Sequence, residues 1–140
     1  MTGCSHDARG ICLHDARVRS KGGHPRSFSL TLSTSPKLLY CRCAYAQVVP
    51  QGVKDEVLQR LCDSGASFES VADLCEMAAH RDERLKAFAA GAPIRIAACF
   101  PRVVKGLFTQ CGAALPEEGA EILNMRSQTA EEIATAMLAE

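Results

Sequence analysis

Ile94-Arg95-Ile96-Ala97-Ala98-Cys99-Phe100-Pro101 decides how this chain folds. Gly91 and Pro93 stand before the run and Pro101 closes it, so a short apolar stretch is bounded on both sides by residues that break regular structure. Such a run reads as a strand buried on both faces, the signature of a parallel sheet. Pro101 suits the first turn of a helix, where its missing N–H costs nothing. The helix after it predicts an inward stripe of Val103, Val104, Leu107, Phe108 and Cys111, ended by Gly112 and Pro116.

The same punctuation extends in both directions. Upstream, Lys37-Leu38-Leu39-Tyr40-Cys41 forms a first strand, and Pro50 opens a helix with Val53, Val57, Leu58 and Leu61 at the 3.6-residue period. Asp63-Ser64-Gly65 stops it. A second strand around Phe68–Ala72 leads to one helix near Glu76–Ala90, with Met77, Ala78, Leu85 and Phe88 inward and His80–Glu83 outward. Downstream, Glu121–Met125 forms a fourth strand. Thr129 and Glu132 have the spacing of a capping box for a last helix reaching Leu138. The order βαβαβαβα predicts a small four-stranded parallel sheet, Rossmann- or flavodoxin-like, with right-handed crossovers and helices on both faces.

Composition bounds the function. The chain has 140 residues, 47% hydrophobic and 23% charged, enough for a single α/β domain over 37–140 without disulfide staples. Zero net charge, seven aromatics and no basic block argue against nucleic acid. No run approaches the roughly 18 apolar residues of a membrane span. No secretory signal pattern is legible, which predicts a reducing, cytoplasmic setting and free thiols. Eight cysteines then point to metal chemistry.

Residues 1–36 read differently. Five basic residues against two acidic ones, with no helical period, predict a disordered basic leader. It holds a repeat of period eight, Cys4-Ser5-His6 and Cys12-Leu13-His14. Two Cys-x-His pairs offer four zinc donors, but the one-residue gap is unusual for zinc and nothing around it would pack as support.

Four other cysteines gain meaning from the topology. Cys41 and Cys43 follow the first strand, Cys75 the second and Cys99 the third. A parallel sheet places its site at the carboxyl ends of its strands, so distant sequence positions converge, provided the three strands are neighbours. Each strand end also precedes a helix N-terminus, whose partial positive charge favours thiolates. Four thiolates with no histidine suit an iron–sulfur cluster or a Cys4 zinc site, and Arg42 and Arg102 stand where they could offset its negative charge. Cys62 and Cys111, at helical spacing from Leu58 and Leu107, read as core.

Leu38-Leu39-Tyr40-Cys41-Arg42-Cys43, the isolated Cys75, and above all Ala97-Ala98-Cys99-Phe100-Pro101-Arg102 resemble the N-terminal iron–sulfur domain of the flavin-binding component of heterodisulfide reductase. The resemblance covers roughly residues 37–112. In that family a C-x-C-G segment, a later cysteine and an A-A-C-S-P-R segment supply a cluster. It implies a 4Fe–4S cluster on Cys41, Cys43, Cys75 and Cys99. Ala44 replaces the family's glycine and Phe100 its serine, changes that bear on hydrogen bonding to sulfur. The family's flavin domain and ferredoxin motifs are absent from this sequence. The expectation is an electron-transfer component that needs a redox protein partner. The alternative is a thiol-redox or structural zinc module of the same fold.

Overall fold

The computed structural model describes residues 35–90 and 93–140, so the basic leader and its two Cys-x-His pairs lie outside the described residues. Four strands, β1 (Lys37–Cys41), β2 (Glu69–Val71), β3 (Ile94–Ala98) and β4 (Ala120–Asn124), form one parallel sheet in the order β2-β1-β3-β4. The first helix, α1 (Gln51–Asp63), follows β1, and α2 (Leu74–Ala79) and α3 (Arg84–Ala89) lie between β2 and β3. Past β3 come α4 (Pro101–Gln110) and, after β4, α5 (Ala130–Leu138). Helix α1 packs with α5, while α2 and α3 pack with α4, giving one helical layer on each side of the sheet.

The central strand is the one its sequence announced. Ile94, Ile96, Ala97 and Ala98 are all buried, and β3 pairs with β1 on one side and β4 on the other. Leu39, Tyr40, Val57, Leu61, Leu85, Phe108 and Ile133 complete a single core, each at most 1% exposed. Arg95, the charged residue in β3, reaches the strand edge, where it pairs with Glu121 at 3.4 Å and donates to the carbonyls of Met137 and Ala139. Lys37 does the equivalent for α3, donating to the carbonyls of Ala87 and Ala90 and so satisfying that helix's C-terminal acceptors.

Three sequence expectations need correction. The stretch 76–90 is two short helices, not one. Helix α2 ends in a Schellman motif: the Arg81 N–H donates to Ala78 O at 3.1 Å and the Asp82 N–H to Met77 O at 2.9 Å. Arg81 takes the left-handed conformation (φ 50°) that glycine ordinarily fills, which is why the sequence shows no breaker there. Asp82 then accepts from the Arg84 N–H and starts α3. The four inward residues of the segment are buried as expected, because the break preserves which side faces the sheet. Secondly, Val103 is exposed, leaving Val104 and Phe108 as the buried residues of α4. Thirdly, Cys62 is exposed, one residue round the helix from fully buried Leu61; Cys111, half-buried, does pack against the core.

Relieving the left-handed residue gives a direct test of the break. Arg81→Gly is expected to stabilise the chain by about 0.5–1 kcal/mol, since glycine occupies this region without steric cost and Arg81 does not. Urea unfolding of the two proteins measures it. A loss of stability would mean that the Arg81 side chain contributes more than its backbone costs.

Candidate functional site

The strand order places the switch point of the sheet between β1 and β3. From β1 the chain moves outward to β2, and from β3 it moves the other way to β4, so a crevice opens beyond their carboxyl ends. Cys43 follows β1 and Cys99 follows β3 at this crevice, and β2, which leads to Cys75, lies on the other side of β1. The three cysteine-bearing strands are therefore neighbours, as convergence requires.

The loop after β1 is held tightly. Strand pairing continues past its end, with the Arg42 N–H donating to Val71 O at 2.9 Å and the Ala44 N–H to Ala72 O at 3.0 Å. Between them Cys43 adopts a positive φ of 49°, which brings a residue with a side chain into a conformation usually left to glycine. Cys41, Cys43 and Cys99 are all buried, at 3%, 3% and 7% exposure. Cys75 is exposed in the first turn of α2, at an open depression lined by Tyr45, Ala46, Asp73 and Glu76.

A backbone donor reaches the first of the sulfurs: the Leu74 N–H donates to Cys41 Sγ at 3.4 Å. Cys43 lies within electrostatic reach of Cys99. Cys75 lies within electrostatic reach of Cys99 and Cys43.

One residue at this site went unread in the sequence. Asp73 is 3% exposed and caps α2: its Oδ1 accepts from the N–H groups of Cys75 at 2.8 Å and Glu76 at 3.3 Å. Its Oδ2 accepts from the Tyr45 N–H at 3.2 Å, tying the Cys43 loop to the helix that carries Cys75. The signal is present as Asp73-x-x-Glu76, an acidic N-cap followed three residues on by glutamate. With Asp73 in place, the first turn of α2 gives only its Leu74 N–H to a sulfur. Helix α4, capped by no side chain, starts directly after Cys99 and Phe100.

The arginines are placed as follows. Arg42 faces α1, 3.6 Å from Asp55, and acts electrostatically on Tyr40. Arg102 is exposed in the first turn of α4. Arg126, from the loop after β4, stacks over the Phe100 ring with its guanidinium 4.0 Å from the centroid.

Three of the thiols, Cys41, Cys43 and Cys75, are pushed above the ordinary thiol range. Burial pushes Cys41 up to about 11 against the partly opposing Leu74 and Cys43 N–H groups. For Cys75, partial desolvation of the thiol on an otherwise exposed residue, and then the Asp73 carboxylate, push it up to about 11. Cys43 is raised by burial and by Cys99. At pH 7 a thiol with a pKa near 11 is thiolate in only about one molecule in ten thousand. The alkylation rate of Cys75 in the chelator-treated chain should therefore keep rising through pH 9 and level off only near pH 11. Peptide-mapped iodoacetamide labelling measures it, and a plateau by pH 8 would contradict the electrostatics described here.

Among the described residues no three Cys, His, Asp or Glu side chains gather closely enough to share one metal ion. A tetrahedral zinc site, with Zn–S bonds of about 2.3 Å, needs sulfurs about 3.8 Å apart. A cluster spreads its thiolates over several irons and takes a wider set. The donor types present suit that chemistry: all are thiols, buried at Cys41, Cys43 and Cys99 and exposed at Cys75, and the Leu74 N–H meets Cys41 Sγ in the way backbone donors tune cluster sulfurs. Comparison with protein-family models, with curated proteins and with solved structures finds no match to this chain.

Proposed function

We propose that Cys41, Cys43, Cys75 and Cys99 hold a 4Fe–4S cluster and that the chain is an electron-transfer component working with a redox protein partner. The observation that carries the reading is that the three cysteine-bearing strands are neighbours, with Cys43, Cys75 and Cys99 within electrostatic reach of one another beyond the strands' carboxyl ends. When bound, such a cluster supplies reversible one-electron transfer.

The chain's own residues supply the rest. Cys41, Cys43 and Cys99 provide donors shielded from water, and Cys75 provides one at the surface. The Leu74 N–H offsets negative charge on Cys41 Sγ without adding a side chain. Asp73 holds the two halves of the donor set together.

The free-dithiol alternative has less support. A redox-sensing Cys41–Cys43 pair needs thiolate at neutral pH, whereas burial and the nearby carboxylate keep these sulfurs protonated. Iron removes that obstacle, because a coordinated thiol is deprotonated outright. The absorption spectrum of the anaerobically purified full chain tests the proposal. A broad band near 400 nm that bleaches on addition of dithionite is expected for thiolate-bound iron–sulfur centres. A colourless, folded chain that retains one zinc would replace it with the structural zinc reading.

A further inference from the structure

The large exposed apolar side chains of the described residues are Tyr45, Val48, Phe100 and Val103, and all four belong to the two segments that follow β1 and β3 and carry Cys43 and Cys99. Tyr45 and Val48 lie in the loop that carries Cys43, at 69% and 40% exposure. Phe100 follows Cys99, and Val103 projects from the first turn of α4, at 37% and 44%. A folded chain has no reason of its own to concentrate its exposed apolar groups in the two segments beyond the carboxyl ends of adjacent strands; scattered single residues would need no explanation, but their concentration there marks an interface. Its charged neighbours on the β3 and β4 side are cations, Arg102 beside Val103 and Arg126 stacked on Phe100.

We propose that this rim is the docking surface for an acidic one-electron carrier protein, whose apolar centre covers Tyr45, Val48, Phe100 and Val103 and whose carboxylates meet Arg102 and Arg126. The carrier's role rests on the electron-transfer reading above; the surface itself does not. Aromatic and arginine side chains are the residues that most often anchor an interface, and peripheral charges of one sign steer the partner and fix its orientation. Docking there sets the carrier against Cys75 and the Cys99 loop, where the donor set comes nearest to solvent. The same cations disfavour other occupants. The leader carries five basic residues against two acidic ones, and a second copy placed symmetrically would bring arginines against arginines.

The experiment is a titration of the full, anaerobically purified chain with an acidic plant-type ferredoxin, and with a basic c-type cytochrome as the charge-reversed control, followed by isothermal calorimetry. The ferredoxin is expected to bind and to lose at least ten-fold in affinity between low and physiological salt, as rim charges are screened. Val103→Ser and Arg126→Glu should each weaken it several-fold, and together at least ten-fold, with an unchanged circular dichroism spectrum. Equal or tighter binding of the cytochrome would overturn the proposal. So would undiminished binding by the double variant, or burial of the rim in a self-associated species or on anionic vesicles. Iron content is read on the same samples. An iron-free chain that still binds ferredoxin through this rim keeps the surface and removes the cluster reading. An iron-loaded chain that binds no carrier does the reverse.

Discussion

Cys99→Ser is expected to abolish iron and acid-labile sulfide in the anaerobically purified chain, and Cys43→Ser, Cys41→Ser and Cys75→Ser to do the same or leave a small residue. Cys43 and Cys99 follow the paired ends of β1 and β3, the two central strands, and lie within electrostatic reach of each other. A serine there offers a hard, shorter donor that suits magnesium or calcium better than an iron–sulfur cluster. Cys62→Ser and Cys111→Ser supply the comparison. Cys62 is exposed on α1, and the Cys111 thiol contacts the Ala78 carbonyl at 3.5 Å, so both variants should keep full iron content. Retention of iron by Cys99→Ser, or its loss from Cys62→Ser, would place the donors elsewhere.

Asp73→Ala should be the most damaging single change outside the cysteines and the apolar core. It removes an N-cap, at about 1 kcal/mol, and leaves the part-buried N–H groups of Tyr45, Cys75 and Glu76 without their acceptor. A total loss of about 2–4 kcal/mol is expected, or roughly 10–20 °C in melting temperature for a domain of this size. Asp73→Asn separates architecture from charge. Its amide oxygen can still accept from the Cys75 and Glu76 N–H groups, so most of the stability should return. Removing the negative charge should make a bound cluster easier to reduce, raising its midpoint potential relative to the parent protein. Thermal unfolding and a redox titration of the two variants measure both effects. An unchanged potential in Asp73→Asn would show that the carboxylate serves only to hold the loop and α2 together.

How far the sequence disclosed this arrangement depended on whether a local chemical signal existed. Ile94–Ala98 is legible because breakers flank an apolar run, and the capping box of Thr129 and Glu132 forms as its spacing predicts, with reciprocal bonds of 2.8 and 3.2 Å. Strand boundaries differ by a residue or so: β4 runs Ala120–Asn124 rather than 121–125, and β2 is shorter than Phe68–Ala72. The break at Arg81 is hidden because its signal is a backbone conformation without its customary glycine. Val103 is misplaced by the sequence pattern because an apolar residue next to a buried one satisfies a loose reading of the helical period while lying about 100° round the axis. Its exposure acquires a use only at the rim of the cysteine site.

The convergence of the cysteines required strand order, which no local pattern encodes. The order β2-β1-β3-β4 supplies it, and the Tyr45–Asp73 bond that braces the site joins residues 28 apart in the chain. The place of Arg42 between two cysteines suggests a neighbour of the sulfurs; in the fold its guanidinium lies 3.6 Å from Asp55 of α1.

Iron, sulfide and zinc quantitation on the full chain, purified without exposure to air, decides whether the four cysteines hold a cluster. About four irons and four sulfides per chain, with zinc well below stoichiometry, is the result predicted for a cluster bound by Cys41, Cys43, Cys75 and Cys99. A folded, monodisperse chain without iron or sulfide would contradict it.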